Sequence, residues 1–163
     1  MRAFLRTTLI WAAIAFLGDT ILGPAIAIKG IAPDFSVVAL VILALAAGPR
    51  PATVGGFLIG LVQDLSSPSS LGLQAFCKCT LGYGLGSLRG RLVYGMPVVE
   101  FFMLVLAVLA HDLVFLLIQA RFGPESFLGT FFLRSAPVAL YTGIVGLPIL
   151  RLVEFLGILR PED

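Results

Sequence analysis

A chain of 163 residues that is 59% hydrophobic and only 12% charged, with a mean hydropathy of +1.06, lies outside the range of water-soluble domains. Its 11 basic and 9 acidic residues are scattered, with no basic run to track phosphates, which argues against a nucleic-acid partner. A bilayer core of about 30 Å takes roughly 20 apolar residues per helix, so the length holds about six spans with short loops and leaves no room for a separate soluble domain.

Arg2 and Arg6, the apolar stretch Leu9 to Leu22, and Ala25-Ile26-Ala27 together imitate a signal peptide. Asp19 interrupts that stretch and the whole run is long, so an uncleaved first span over roughly 7–28 is expected. Breaks at Gly, Pro and charge place the remaining spans at roughly 33–48, 51–67, 71–88, 97–119 and 131–158. Spans two and three are separated only by Gly48-Pro49-Arg50-Pro51, where two prolines stop a helix, so a tight hairpin is expected there. Ser66 to Ser70, with Pro68, forms the next turn. The whole reads as an all-α integral membrane bundle forming one polytopic domain over residues 1–163.

An excess of Arg and Lys in short loops marks the cytoplasmic side of a membrane protein. An inside N-terminus places Arg2, Arg6, Arg50, Arg89, Arg91, Arg151 and Arg160 on that side, and Lys29, Arg121 and Arg134 outside, with Lys78 within a span. Both termini are therefore expected to be cytoplasmic.

Small residues recur at helical spacing, with Gly56 and Gly60 in the third span and Gly82, Gly86 and Gly90 in the fourth. Such faces let helix backbones approach closely, either as internal seams or as a seat for a partner's helix. Cys77 and Cys79 sit at i and i+2, which points their side chains to different helix faces and argues against a disulfide or metal pair.

Charged groups inside a membrane are costly unless paired or wetted. Counted at about 1.5 Å per residue from the outer ends, Asp19, Lys78 and Asp112 lie roughly 10 to 15 Å deep, with Asp64 and Gln63 higher. Lys78 can snorkel toward Asp64, Asp112 or Asp19, which suggests an internal polar layer with His111 beside it. Such a layer either fixes helix register, contacts a ligand headgroup or partner helix, or carries protons. Glu100, at the cytoplasmic start of span five, is expected to pair with Arg89 or Arg91. A single histidine assembles neither a metal site nor a triad. The serines of the outer turn have no nearby base, and Gly82-Tyr83-Gly84-Leu85-Gly86 lies within an apolar helix, not between a strand and a helix, so catalytic residues, metal ligands and cofactor-binding residues are all absent from the reading.

The string from Gly48 through Gly56-Phe57, Gly60-Leu61, Asp64-Leu65 and Leu71-Gly72 to Gly82-Tyr83 resembles the MreD family of rod shape-determining proteins. Pro33-Asp34 resembles the Pro-Asn or Pro-Asp of that family, and Asp112-Leu-Val-Phe and Pro148 fall where relatives carry similar residues. Lys78 between Cys77 and Cys79 departs from the pattern. The resemblance implies a non-enzymatic scaffold of the bacterial inner membrane, without cofactor, similar in fold to the substrate-binding components of energy-coupling-factor (ECF) vitamin transporters. It implies MreC as the partner, with the actin-like MreB, the elongation transpeptidase and RodA gathered around the pair in the lipid bilayer. The competing reading is a true transporter component of that kind. Its resemblance requires an Ala-x-x-x-Ala docking signature in span one, whereas here Ala12, Ala13 and Ala15 are followed four residues on by Phe16, Leu17 and Asp19.

Overall fold

The computed structural model describes residues 2–66, 71–89, 96–120 and 127–156. Ser67, Pro68, Ser69, Ser70, Gly90, Arg91, Arg121, Arg160 and Asp163, and the side chains of Arg2 and Arg6, lie outside the described residues. Among the described residues every regular element is a helix.

Helix α1 (Arg2–Leu17) continues through a π-helical turn, Gly18–Leu22, and a last turn, Gly23–Ala25. Lys29 and Gly30, both at positive φ, then reverse the chain, closed by a single antiparallel bridge between Ile28 and Ile31. Helix α2 (Phe35–Ala47) starts at the Asp34 cap and ends at Gly48, whose φ of 83° is a left-handed conformation that suits glycine. Gly48 also opens α3 (Pro49–Leu65).

The tight hairpin expected at Gly48-Pro49-Arg50-Pro51 is present, but its break is Gly48 alone, and the prolines expected to stop the helix stand in the first turn of α3. An N–H there has no intrahelical acceptor in any case, so proline costs nothing and a one-residue break suffices. Helices α4 (Leu73–Ser87) and α5 (Pro97–Gln119) follow. Phe127–Thr130 and a π-helical turn, Phe131–Ser135, lead into α6 (Ala136–Phe155), which carries Pro148 in its interior.

The apolar faces decide the arrangement. α2 is apolar all round, from Phe35 to Leu45 it is buried, and it touches each of the other five helices. Around this hub Leu40, Val41, Ile42 and Leu43 meet Leu104 and Val108 of α5 and Leu150 of α6 in one core. The outer faces remain apolar, with Leu106, Phe102, Leu140, Ile144 and Phe155 exposed, as a bundle facing lipid requires.

Among the described residues two helices are long and apolar enough to cross a membrane on their own: α5, with 23 residues, and Phe131–Phe155, with 25. The hub α2 has only 13 residues and α4 has 15. At 1.5 Å per residue these cover about 20 and 22 Å, short of a bilayer core of about 30 Å. The N-terminal amides of both helices find side-chain acceptors within the bundle.

Candidate functional site: a polar layer at the buried helix ends

The first of these N-termini is that of α2. Asp34 accepts a hydrogen bond from the Val37 N–H at 2.9 Å and from the Ser36 hydroxyl at 2.5 Å. Asp19, presented by the π-turn of α1, accepts from the Phe35 N–H at 2.8 Å and the Ser36 N–H at 3.2 Å through one oxygen. Its other oxygen accepts from the Gln63 amide of α3 at 2.7 Å, and that amide also donates to the Ser36 hydroxyl at 3.0 Å. From the opposite side the Asp34 N–H donates to the Thr142 hydroxyl of α6 at 2.9 Å. Four segments thus meet at one helix end.

The second is the start of α4. Asp64, fully buried at the end of α3, accepts from the N–H groups of Gly72, Gln74 and Ala75 at 3.0 to 3.1 Å. One carboxylate satisfies three of the four amides that the helix leaves open, and its negative charge sits on the positive end of the helix dipole. Gly72, at φ 90°, supplies the left-handed turn that folds these amides back over Asp64.

Between α4 and α5 lies a third group. The Lys78 ammonium, only 1% exposed, lies 3.2 Å from Gln74 Oε1 and 3.2 Å from His111 Nε2. His111 Nδ1 is 3.0 Å from the Asp112 carboxylate. Nε2 also lies 3.0 Å from Gln74 Oε1, so with Nδ1–H donated to Asp112 the ammonium is the donor shared between these two neighbouring acceptors.

The five residues expected to form one ion-pair layer are therefore placed differently. Asp112 reaches Lys78 only through His111, while Asp64 and Asp19 hydrogen-bond helix N-termini and are not among the direct partners of Lys78. The correction has a physical reason. A helix end offers a carboxylate two or three N–H donors already fixed by the backbone, whereas a lysine side chain must first lose rotamer freedom to present its ammonium.

Asp34, Ser36, Gln74 and Thr142 were missed as members. Pro-Asp before an apolar run is an N-cap signature that marks Asp34, and Gln74 stands one turn before Lys78 at i−4. Nothing in the sequence marks Thr142. On the opposite side of the bundle Glu100, 3% exposed, pairs with Arg151 of α6 at 3.2 Å, and Arg151 also meets Glu154 at 2.8 Å. Arg151, a partner on the helix packed beside α5, is one that local sequence spacing does not reveal.

The expected small-residue faces of α3 and α4 meet each other. A Cβ added at Gly56 falls on the Lys78 carbonyl, one at Gly60 on the Ala75 backbone, one at Gly82 on the Ala52 carbonyl and one at Gly86 on the Pro49 backbone. These four glycines close an antiparallel hairpin in which the two backbones touch. The hairpin carries Asp64 at its turn, so the string from Gly48 to Tyr83 is accounted for as one structural unit.

The chain belongs to the MreD family. The family model for the rod shape-determining protein MreD matches residues 1–157 of the 163. No curated protein and no solved structure matches it. The MreD family is membrane-associated and acts in determining rod shape rather than in a known catalysis, and this gives the all-helical bundle its setting.

Proposed function

We propose that this chain is a multi-pass, non-enzymatic scaffold of the bacterial inner membrane, with both termini cytoplasmic, that maintains rod shape by holding the transmembrane helix of MreC. Through MreC it gathers the elongation transpeptidase, RodA and MreB. The observation that carries this reading is the engagement of the carboxylates within the bundle. Asp19, Asp34 and Asp64 complete helix N-termini and Asp112 binds His111, so the groups that would serve an acid, a base or a substrate headgroup hold the bundle together instead. The polar layer of Asp19, Asp64, Lys78, His111 and Asp112 is, in this proposal, the clasp that keeps two short helices inside a membrane-spanning frame.

The glycine faces of α3 and α4 are closed on each other, so the MreC helix is held on another, lipid-facing surface. The test is co-purification of MreC from membranes with the full-length chain. Retention of MreC is expected. Loss of MreC together with tight binding of a small vitamin in detergent would reject the scaffold in favour of a transporter component. Cysteines introduced at Ser67 and Asp163 test the orientation: a membrane-impermeant reagent added outside should label the first and spare the second.

A further inference from the structure

A furrow of about 600 Å³ runs between α4 and α5 on the outside of the bundle. Cys77, Gly84 and Leu88 line it from α4, and Val98, Leu106 and Val114 from α5. It follows the helices for 11 residue steps of α4, from Cys77 to Leu88, and 16 of α5, from Val98 to Val114. At 1.5 Å per residue that is about 17 to 24 Å, somewhat more than one leaflet of a bilayer core of about 30 Å.

Dividing the 600 Å³ by that length leaves a cross-section of about 25 to 36 Å². An α-helix with its side chains, 10 to 12 Å across, needs roughly 80 to 110 Å². The section takes a single hydrocarbon chain along its whole length, whereas a helix would seat only one row of its side chains there. Thr80, the hydroxyl-bearing residue of the lining, donates to the Phe76 carbonyl of its own helix at 2.9 Å, so the furrow offers an occupant no free hydroxyl. Gly84 sets its depth: a Cβ there meets no atom within 4 Å, in contrast to Gly82 and Gly86, where backbone is struck.

We propose that the furrow between α4 and α5 binds one acyl chain of a bilayer phospholipid as a structural lipid. The proposal rests on the membrane setting and not on the MreC reading. The chain lies along the helices beside Gly84, and the headgroup stays outside the furrow.

The test uses the full-length protein in phosphatidylethanolamine vesicles doped with phosphatidylethanolamine that carries a mid-chain diazirine. Photolabelled residues are mapped by peptide mass spectrometry. Labelling of Leu81, Gly84 and Met103 should exceed that of Leu140 and Ile144, exposed on α6, by about tenfold, one decade of site preference. Gly84→Leu and Ala110→Leu, both at exposed positions, should remove the excess and leave α6 labelling unchanged. Labelling in the furrow no stronger than on α6 would overturn the proposal, while the α6 signal would still report insertion. Displacement by polyprenyl phosphate, at levels too low to dilute the bulk lipid, would overturn it in favour of an isoprenoid chain. A protein crosslinked at Thr80 in native membranes would overturn it in favour of a partner helix.

Discussion

Helix α4 has two flanks that solve the same packing problem in opposite ways. Against α3 it presents Gly82 and Gly86, and the backbones touch with no side chain between them. Against α5 it presents Lys78, Leu81 and Gly84, and the contact is a single buried polar cluster above an apolar furrow. In lipid there is no hydrophobic force to press helices together, so close backbone contact and buried hydrogen bonds carry the association. The first flank leaves no tolerance for volume and the second leaves space for it.

The sharpest way to break this contrast is a pair of identical substitutions. Gly60→Leu drives a branched side chain into the Ala75 backbone, which cannot move without parting the hairpin, and should cost about 3 kcal/mol or more. Gly84→Leu meets open space and gains helix propensity, so stability should stay within about 1 kcal/mol of the parent. Thermal unfolding in detergent, followed by circular dichroism, measures both. Similar losses from the two would show that the flanks are not different in kind.

A smaller effect is expected at the hairpin turn. Asp64→Ala removes the acceptor of three N–H groups at the start of α4, that of Ala75 buried, and should destabilise the protein by about 2 to 4 kcal/mol. Asp64→Asn keeps one acceptor oxygen and should lose less. Amide hydrogen exchange at Gly72, Gln74 and Ala75 reports the site directly, and unchanged protection in Asp64→Ala would refute the capping role.

The polar cluster on the α5 flank should yield the smallest change. Lys78→Met leaves His111 Nε2 and Gln74 Oε1, 3.0 Å apart, without the ammonium between them. His111 can then move its proton to Nε2 and donate to Gln74, at the loss of its bond to Asp112. The cost should be about 1 to 2 kcal/mol, and a double-mutant cycle with His111→Gln should show a coupling of about 1 kcal/mol. His111 is the sole histidine, so ¹⁵N-histidine NMR should show the tautomer change as a single clean shift in Lys78→Met. No coupling and no tautomer change would mean that the two flanks of α4 are joined by packing alone.

Much of the site was legible residue by residue without its connections being so. Asp19, Asp64, Lys78, His111 and Asp112 announce themselves because an ionisable group in an apolar helix demands a partner. The identity of that partner depends on which helices are neighbours and at what depth each one starts. Pairing Lys78 with a carboxylate followed from charge alone, whereas the carboxylates had stronger claims on them from helix ends whose depth no sequence pattern states. The same holds for Glu100, whose contact with Arg151, distant in sequence and adjacent in space, no local spacing states.

By itself the sequence determined the all-helical class, the helix count and most helix limits. Apolar run length and the breaks at Gly, Pro and charge are local properties, and α5 runs from Pro97 to Gln119 as they imply. The string from Gly48 to Tyr83 likewise marked the hairpin, because glycine at helical spacing has few uses in lipid other than close approach. Only the tertiary structure decided that α2 is the hub, that the glycine faces close on each other, and that α4 and α5 leave a furrow. Each of these depends on how helices of unequal length stack around a common core. That is a property of pairs of helices, and a single helix does not carry it in its own residues.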